Sequence, residues 1–441
     1  MRWIDEEARL RGPLAHGLKR LLAAAVALGV ACGANAESTL APAAAQAMFA
    51  RTKDKLIQVR TIHALSQSQA SIGSGFIASP DGLVITNYHV VSQYVLDPDS
   101  YRMESVRHDG SHGKLEVLAI DVANDLALLK MPGKRLGYLR LHNGKMAKGD
   151  RGYAMGNPLD LGLTVVEGTY NGALGPQHHG RIHFTGPINA GMSGGPAVGE
   201  DGTVFGVNVA RQSDGQLVSF LVSEEHVRRL LEQPHRLRGD AARFAGEVAA
   251  QLDRRQAALM QQLLSTPLPT SALSHYTAPD VPQDIARCWG DTSHVDRELY
   301  TIDTKMCVPE VRLYVSDSLQ LADIRFMHRV LKSKSLGAIR FANLVERYYI
   351  AADFSYSARK EDVTAFRCQD DFISNPSGVV RAALCVRAYR KFEGLYDLKL
   401  RMVTLGSADE ALLSSLELDA VGFDEGMRYV QRYVSATAWT K

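Results

Sequence analysis

"NAGMSGGPAV", residues 189–198, places glycines at 191, 194 and 195 around Ser193. A glycine cluster makes a turn. It also makes a place where backbone comes close to a reacting group, because no Cβ stands in the way. Serine alone is a poor nucleophile near neutral pH and needs a base to take its proton. The stretch is thus a tight turn or a nucleophile loop. The second reading requires a histidine elsewhere in the chain and a carboxylate to orient it.

Two upstream segments supply candidates. "GLVITNYHVV" (82–91) puts His89 at the end of an apolar strand, and "DVANDLALLKM" (121–131) puts Asp125 just before an apolar run. Taken singly, each has an ordinary explanation. A histidine after a strand is commonly packed or at the surface, and an aspartate before one is commonly a turn residue. Taken together they fall in the order His, Asp, Ser, each at the edge of a β-type run, where loops carry function.

From about residue 55 to 222 the chain is a series of short β-type runs broken by glycine and proline. "KLIQVRTIHAL", "GSGFIAS", "KLEVLAIDV", "LALLKM" and "TVFGVNVAR" are examples, and several alternate apolar and polar residues as half-buried strands do. Such spacing points to antiparallel barrels or a sandwich. Helical periodicity follows in "SEEHVRRLLEQ" (223–233), with Ser223 as N-cap and two acids in the first turn. A longer amphipathic helix carries Phe244, Val248, Leu252, Leu259 and Leu263 on one stripe.

The three segments resemble the motifs of trypsin-like serine proteases on the two-barrel fold, specifically the HtrA/Deg group. "SGFIASPDGLVITNYHVV" (74–91) is similar to that group's histidine motif, "NDLALLKM" (124–131) to its aspartate motif and "INAGMSGGPAV" (188–198) to its serine motif. "AMGNPLDLG" (154–162) and "VEGTYNG" (166–172) match the connecting strands, so the resemblance covers about 55–233. It implies an all-β two-barrel domain in which Ser193 attacks the scissile carbonyl, His89 moves the proton and Asp125 holds His89. It assigns the oxyanion hole to the backbone N–H groups of Gly191 and Ser193. Residue 192, often asparagine in the group, is methionine here, a change expected on the leaving-group side of the cleft.

The resemblance also sets a substrate pocket. Its floor falls six residues before the nucleophile, at the uncharged Pro187, with Ile188 and Ala210 as apolar walls. A preference for Lys or Arg is not expected, because a buried cation needs a paired charge. "NVAR" (208–211), containing Val209, is similar to the strand that pairs with an extended substrate, and Arg211 departs from the apolar residue usual there. No cofactor is called for. "HHGRIH", with His178, His179 and His183, invites a metal, but no acidic or cysteine partner lies nearby, and the metal reading is set aside.

The 441-residue chain is 46% hydrophobic and 22% charged, with a net charge of +2. That is ordinary for globular protein and carries no basic field directed at nucleic acid. "GLKRLLAAAVALGVACGANAES" (17–38) reads as a basic flank, an apolar run and an A-x-A cleavage site at 34–36. A signal peptide over 1–36 is expected, its apolar run being shorter than the ~20 residues a membrane span requires. "LGVAC" is a poor lipid-attachment signal for Cys32. The mature chain would be periplasmic or secreted, with no stable membrane span.

Four cysteines remain in such a chain: Cys288, Cys307, Cys368 and Cys385. An even count in an oxidising compartment suggests two disulfides, with three connectivities open. Sequential pairing would close loops of about 20 residues, each worth ~3 kcal/mol in the chain-entropy model.

The expected organisation is a protease domain over 37–235, a helical linker segment over 236–284 and a disulfide-containing α+β domain over 285–441. "STPLPTSALSHYTAPDVPQD" (265–284) has linker composition. In the last region "DLKLRMVTL" alternates like a strand, and Phe423, Met427, Val430 and Val434 recur like a helix face. It lacks the glycine-flanked carboxylate-binding loop of a PDZ domain. The leading reading is a serine endopeptidase acting on polypeptides through an acyl-enzyme, in quality control or processing. The alternatives are an inactive protease fold used for binding and a protease autoinhibited by its C-terminal domain. A homo-oligomer is left open.

Overall fold

The computed structural model describes residues 40–209, 218–235, 237–238, 240–293, 299–351, 358–376 and 378–439. The chain divides into a unit ending at Ala43 and a compact unit from Ala44 to Lys441. Of the first, only the start of helix α1 (Leu40–Thr52) is described. The expected signal peptide, with Cys32, lies outside the described residues.

The N-terminal half opens with a seven-stranded antiparallel sheet. Its strands are β1 (Leu56–His63), β2 (Gln69–Ile77), β3 (Leu83–Thr86), β4 (Tyr101–Arg107), β5 (His112–Lys114), β6 (Glu116–Asp121) and β7 (Leu126–Lys130). They run in the order β5-β4-β1-β2-β3-β7-β6. Helix α2 (Tyr88–Leu96) follows β3 directly. The sheet is not half-buried as alternation suggested. In β7 Leu126 and Leu128 face one core while Ala127 and Leu129 face another, and Val84 and Ile85 of β3 divide the same way. A sheet between two cores reads as a continuous apolar run, each fully buried side chain contributing about 1.5–3 kcal/mol.

Six further strands close a barrel: β8 (Arg151–Gly156), β9 (Thr164–Ala173), β10 (Ile182–Thr185), β11 (Pro196–Gly199), β12 (Val204–Val209) and β13 (Ser219–Ser223). Ala154, Phe184, Met192, Ala197, Phe205 and Leu221 fill it. The first sheet is paired as an open order among the described residues, with β5 and β6 at its edges. Its edge strand β5 has three residues and pairs only with β4.

Helix α3 (Glu224–Glu232) starts as its sequence dictates, with Ser223 accepting from the Glu225 N–H. Helix α4 (Phe244–Ser265) buries Phe244, Val248 and Leu252, then Met260 and Leu263, while Leu259 is only partly buried. Phe244, Val248 and Leu252 belong to one core cluster and Met260 and Leu263 to another, so the buried stripe shifts where the helix changes the core it packs on.

The stretch with linker composition is structured. It contains β14 (Thr270–Leu273) and β15 (Tyr276–Pro279), an antiparallel pair. Next come β16 (Arg287–Ser293), β17 (Tyr300–Val308), a small hairpin of β18 (Leu313–Ser316) and β19 (Leu319–Leu321), β20 (Ile324–Ser333) and helix α5 (Ala338–Ala351). Strands β21 (Arg367–Asn375), β22 (Gly378–Ala388), β23 (Leu395–Thr404) and β24 (Glu410–Gly422) complete a second seven-stranded antiparallel sheet, ordered β16-β17-β20-β24-β23-β22-β21. Helix α6 (Phe423–Ala436) and β25 (Ala438–Trp439), which pairs with β15, end the described chain.

The expected face of α6 packs on the sheet at Val430, Met427 and Val434 but not at Phe423. Phe423 is exposed, and Tyr429 and Tyr433 are fully buried beside Val430. Gly426 lets the helix approach the sheet, where a Cβ would come within 2.9 Å of Val421 and 3.1 Å of Leu398.

Candidate active site

Asn87 caps α2, so His89 is the second residue of a helix rather than the last of a strand. The apolar β-branched run "HVV" read as strand, but the helix buries Tyr88, Val90, Val91 and Val95 in the core, and tertiary burial outweighs propensity. Asp125 occupies the turn between β6 and β7 in the left-handed region, with φ 58°. Aspartate tolerates this region better than most residues.

Both carboxylate oxygens of Asp125 engage His89. Oδ1 accepts from the His89 backbone N–H at 2.9 Å, and Oδ2 lies 2.8 Å from Nδ1. Burial alone would raise the Asp125 carboxyl, but the charge and hydrogen bonds of His89, with the nearby Arg181 guanidinium, outweigh it and hold the carboxyl below its usual range. An ionised carboxylate only accepts, so Nδ1 carries the proton of this pair, which leaves Nε2 as the ring nitrogen turned away from Asp125. That is the ring orientation a general base for serine requires.

Ser193 lies in the turn between β10 and β11 and is 4% exposed. Its carbonyl accepts from the Ser74 N–H at 2.7 Å, and the Gly191 carbonyl accepts from Ser74 Oγ at 2.7 Å. Gly191 has φ 90° and Gly194 φ 84°, conformations that favour glycine. A Cβ on Gly194 would lie 2.8 Å from the Asn87 nitrogen and strike the Ser74 carbonyl and Thr86 Oγ1. The serine turn thus sits backbone to backbone against the start of the histidine helix. Gly73 tells the same from the other side, bordered by Val90, the neighbour of His89, and by the Ser193 carbonyl.

Three supporting residues escaped the sequence reading. Asn87, fully buried, donates from Nδ2 to the Asp125 carbonyl at 2.8 Å. Asn208, also fully buried, donates to the Met155 carbonyl at 2.9 Å and the Met192 carbonyl at 3.3 Å, tying the serine turn to β8. Its backbone exchanges hydrogen bonds with Gly194 and Gly195. Ser74 is the third. An asparagine just before a helix was a cap signal open to reading. Asn208 and Ser74 had no local signal, because their partners are distant in sequence.

The substrate residues fall as follows. Pro187 is exposed, between buried Gly186 and half-buried Ile188. Ile188 packs on the barrel core and its N–H donates to Ser219 Oγ at 3.2 Å. Val209 is buried and pairs with Phe220. Ala210 and Arg211 lie outside the described residues. Met192 is fully buried within the barrel and so does not face the leaving group, correcting that expectation. Of the "HHGRIH" histidines, His178 stacks on Phe220, while burial first, then Arg255, pushes His179 down to about 4.

The disulfide cysteines are Cys288 with Cys307 and Cys368 with Cys385, at S–S distances of 2.04 and 2.00 Å. Each pair lies directly cross-strand and ties an edge strand of the second sheet, β16 or β21, to its neighbour. Asp280 lies near the first pair, and its sulfurs are committed to the disulfide rather than to a metal.

Residues 73–207 match the trypsin-like peptidase domain. Among similar proteins, a probable periplasmic serine endoprotease DegP-like of Chlamydia muridarum is 34% identical over 176 residues, covering 38% of this chain and 34% of that protein. Serine protease HTRA1 of Xenopus tropicalis is 34% identical over 176 residues, 38% of this chain and 36% of that protein. Serine protease HTRA4 of Homo sapiens is 30% identical over 240 residues, 52% of this chain and 47% of that protein. The chain spans about a third of the length of the first of these relatives. Among the described residues, no helix is long and apolar enough to cross a membrane.

Proposed function

We propose that the chain is a periplasmic or secreted serine endopeptidase that hydrolyses peptide bonds of protein substrates, in degradation or processing within that compartment. The observation that carries the reading is the capture of His89 by both oxygens of a buried, charged Asp125, inside the segment that matches a trypsin-like peptidase domain. A protein used only for binding has no need to keep a carboxylate charged in its interior, where ionisation is costly. The relatives' names support the compartment and the reaction class.

In this reading Ser193 Oγ bonds to the scissile carbonyl carbon while Nε2 of His89 takes its proton. Asp125 stabilises the imidazolium, and the Gly191 and Ser193 N–H groups bind the oxyanion. His89 returns the proton to the leaving amine, leaving an acyl-enzyme on Ser193, and water, deprotonated by His89, releases the acid. No acidic residue occupies 187 or 188, so small or medium apolar residues are preferred before the scissile bond and Lys or Arg is not required. Selectivity among them is modest, at ~1–3 kcal/mol per methylene.

The test is fluorophosphonate labelling and digestion of an unfolded protein, beside Ser193→Ala, with cleavage sites read by mass spectrometry. Labelling and cleavage lost in the variant, with its melting temperature kept, are expected. Equal labelling in both proteins would remove Ser193 as nucleophile.

A further inference from the structure

The hairpin of β18 and β19 belongs by sequence to the C-terminal region, yet it lies against the helix that carries His89. The Tyr88 hydroxyl donates to the Val315 carbonyl at 3.0 Å, and Gln93 Nε2 donates to Asp317 Oδ2 at 2.7 Å. Between these anchors the Tyr314 ring meets the His89 imidazole edge to face, with centroids 5.7 Å apart and planes at 69°. The Tyr314 hydroxyl donates to Asp317 Oδ1 at 2.6 Å and lies 3.4 Å from Ser92 Oγ. Tyr314 is 7% exposed and belongs to the core cluster that holds Tyr88, Val90 and Val91. The tyrosine is therefore fixed by its own bonds, not by chance packing on the histidine.

We infer that Tyr314 is a positioning residue of the catalytic site, and that the C-terminal region is a built-in part of the protease rather than a tethered binding module. The inference rests on the endopeptidase reading. A histidine held by a carboxylate still turns about its χ angles, and a general base is effective only when its nitrogen stays within hydrogen-bond reach of the hydroxyl. A ring packed on the imidazole removes part of that freedom. It also keeps water from the His89–Asp125 pair, which strengthens the charge interaction between them. The ring does this work; the hydroxyl serves the hairpin.

The experiment compares Tyr314→Ala, Tyr314→Leu and Tyr314→Phe in the full chain. Expected for Ala and Leu is a 10- to 100-fold loss in kcat with KM within about twofold, and a parallel fall in fluorophosphonate labelling rate. Tyr314→Phe should stay within about threefold of the unaltered protein, because the ring remains. A second readout needs no turnover. The low-field proton resonance of His89 Nδ1–H should be visible in the unaltered protein and in Phe, and lost to solvent exchange in Ala and Leu.

Truncation to Ala risks the fold, and Leu keeps more of the buried apolar volume should Ala not fold. Wild-type kcat in a folded Leu variant would overturn the inference. So would a Phe variant as poor as Leu, or a rise in activity on removing the ring, which would make the hairpin an inhibitor. An unaltered protein that shows the Nδ1–H resonance but neither cleaves nor labels sinks the endopeptidase reading, while the resonance series still decides whether Tyr314 holds His89.

Discussion

Replacing Asp125 by asparagine changes the electrostatics of the site while keeping its shape. One oxygen of Asp125 accepts from the His89 backbone N–H at 2.9 Å, and the other faces Nδ1 at 2.8 Å. Asparagine has one oxygen and one NH2 group. The backbone N–H can only donate, so the amide oxygen must stay with it, and the NH2 group turns toward Nδ1. Nδ1 then has to accept, and the ring proton moves to Nε2, the nitrogen that must take the serine proton. In the serine-protease triad this error lowers kcat by ~10⁴. At 1.36 kcal/mol per tenfold that is ~5 kcal/mol of transition-state stabilisation. Stability should change far less, by ~1–2 kcal/mol. Asparagine tolerates the left-handed backbone at 125 as aspartate does. Asn87 holds the backbone carbonyl of residue 125, not its side chain, so that anchor survives. The assay is kcat and KM on a peptide substrate, with urea unfolding as the control. A variant with kcat within tenfold of wild type would refute the tautomer argument, and with it the role of Asp125.

Two further outcomes concern the second sheet. Burial pushes His328 down to about 4, against ~6.5 for a free histidine, so the folded state binds fewer protons and His328's contribution is full above pH ~6.5 and lost as pH falls toward 4. The unfolding free-energy advantage over His328→Gln should therefore shrink by roughly 3 kcal/mol between pH 7.5 and 4; a pH-independent difference would sink this. Comparing the two proteins cancels Glu417, which burial raises to about 7 and which acts in the opposite sense. Replacing Cys368 and Cys385 together by serine should cost ~3 kcal/mol in urea unfolding and speed hydrogen exchange in β21; unchanged exchange there would mean that the disulfide does not secure the edge strand.

His89, Asp125 and Ser193 were legible as candidates because their chemistry narrows the residue types and because each falls at an element boundary, which apolar runs reveal. What surrounded them was less so. The run through Val90 and Val91 reads as strand, and only burial on several sides makes it helix. The second sheet lies beyond the matched peptidase-domain segment, and the linker-like proline and serine content of 265–284 conceals β14 and β15, which pair with each other and, through β15, with β25 at the far end of the chain. Met192 could be seen as a departure but not placed, since its burial depends on Phe184 and Phe205 closing around it in the barrel. Tyr314 left no mark. Nothing within "RLYVSDSL" distinguishes a tyrosine that packs on a histidine 225 positions earlier from any other strand aromatic.

The shared core gives that placement a physical reason. Ile57, Val59, Tyr88, Val90 and Val95 of the N-terminal half lie in one cluster with Phe244 and Val248 of α4 and with Leu313, Val315, Leu319 and Leu321 of the hairpin. Burial pushes the Tyr88 phenol far above its usual range, so its hydroxyl stays neutral and needs an acceptor, which the Val315 carbonyl provides. Without the hairpin, α2 would present a tyrosine with no acceptor and an apolar face to water at the point where His89 must stay fixed. A small domain gains little from such a face unless something covers it. Here the cover is supplied from the same chain, and the edge strands of the sheet behind it are tied by disulfides at both ends.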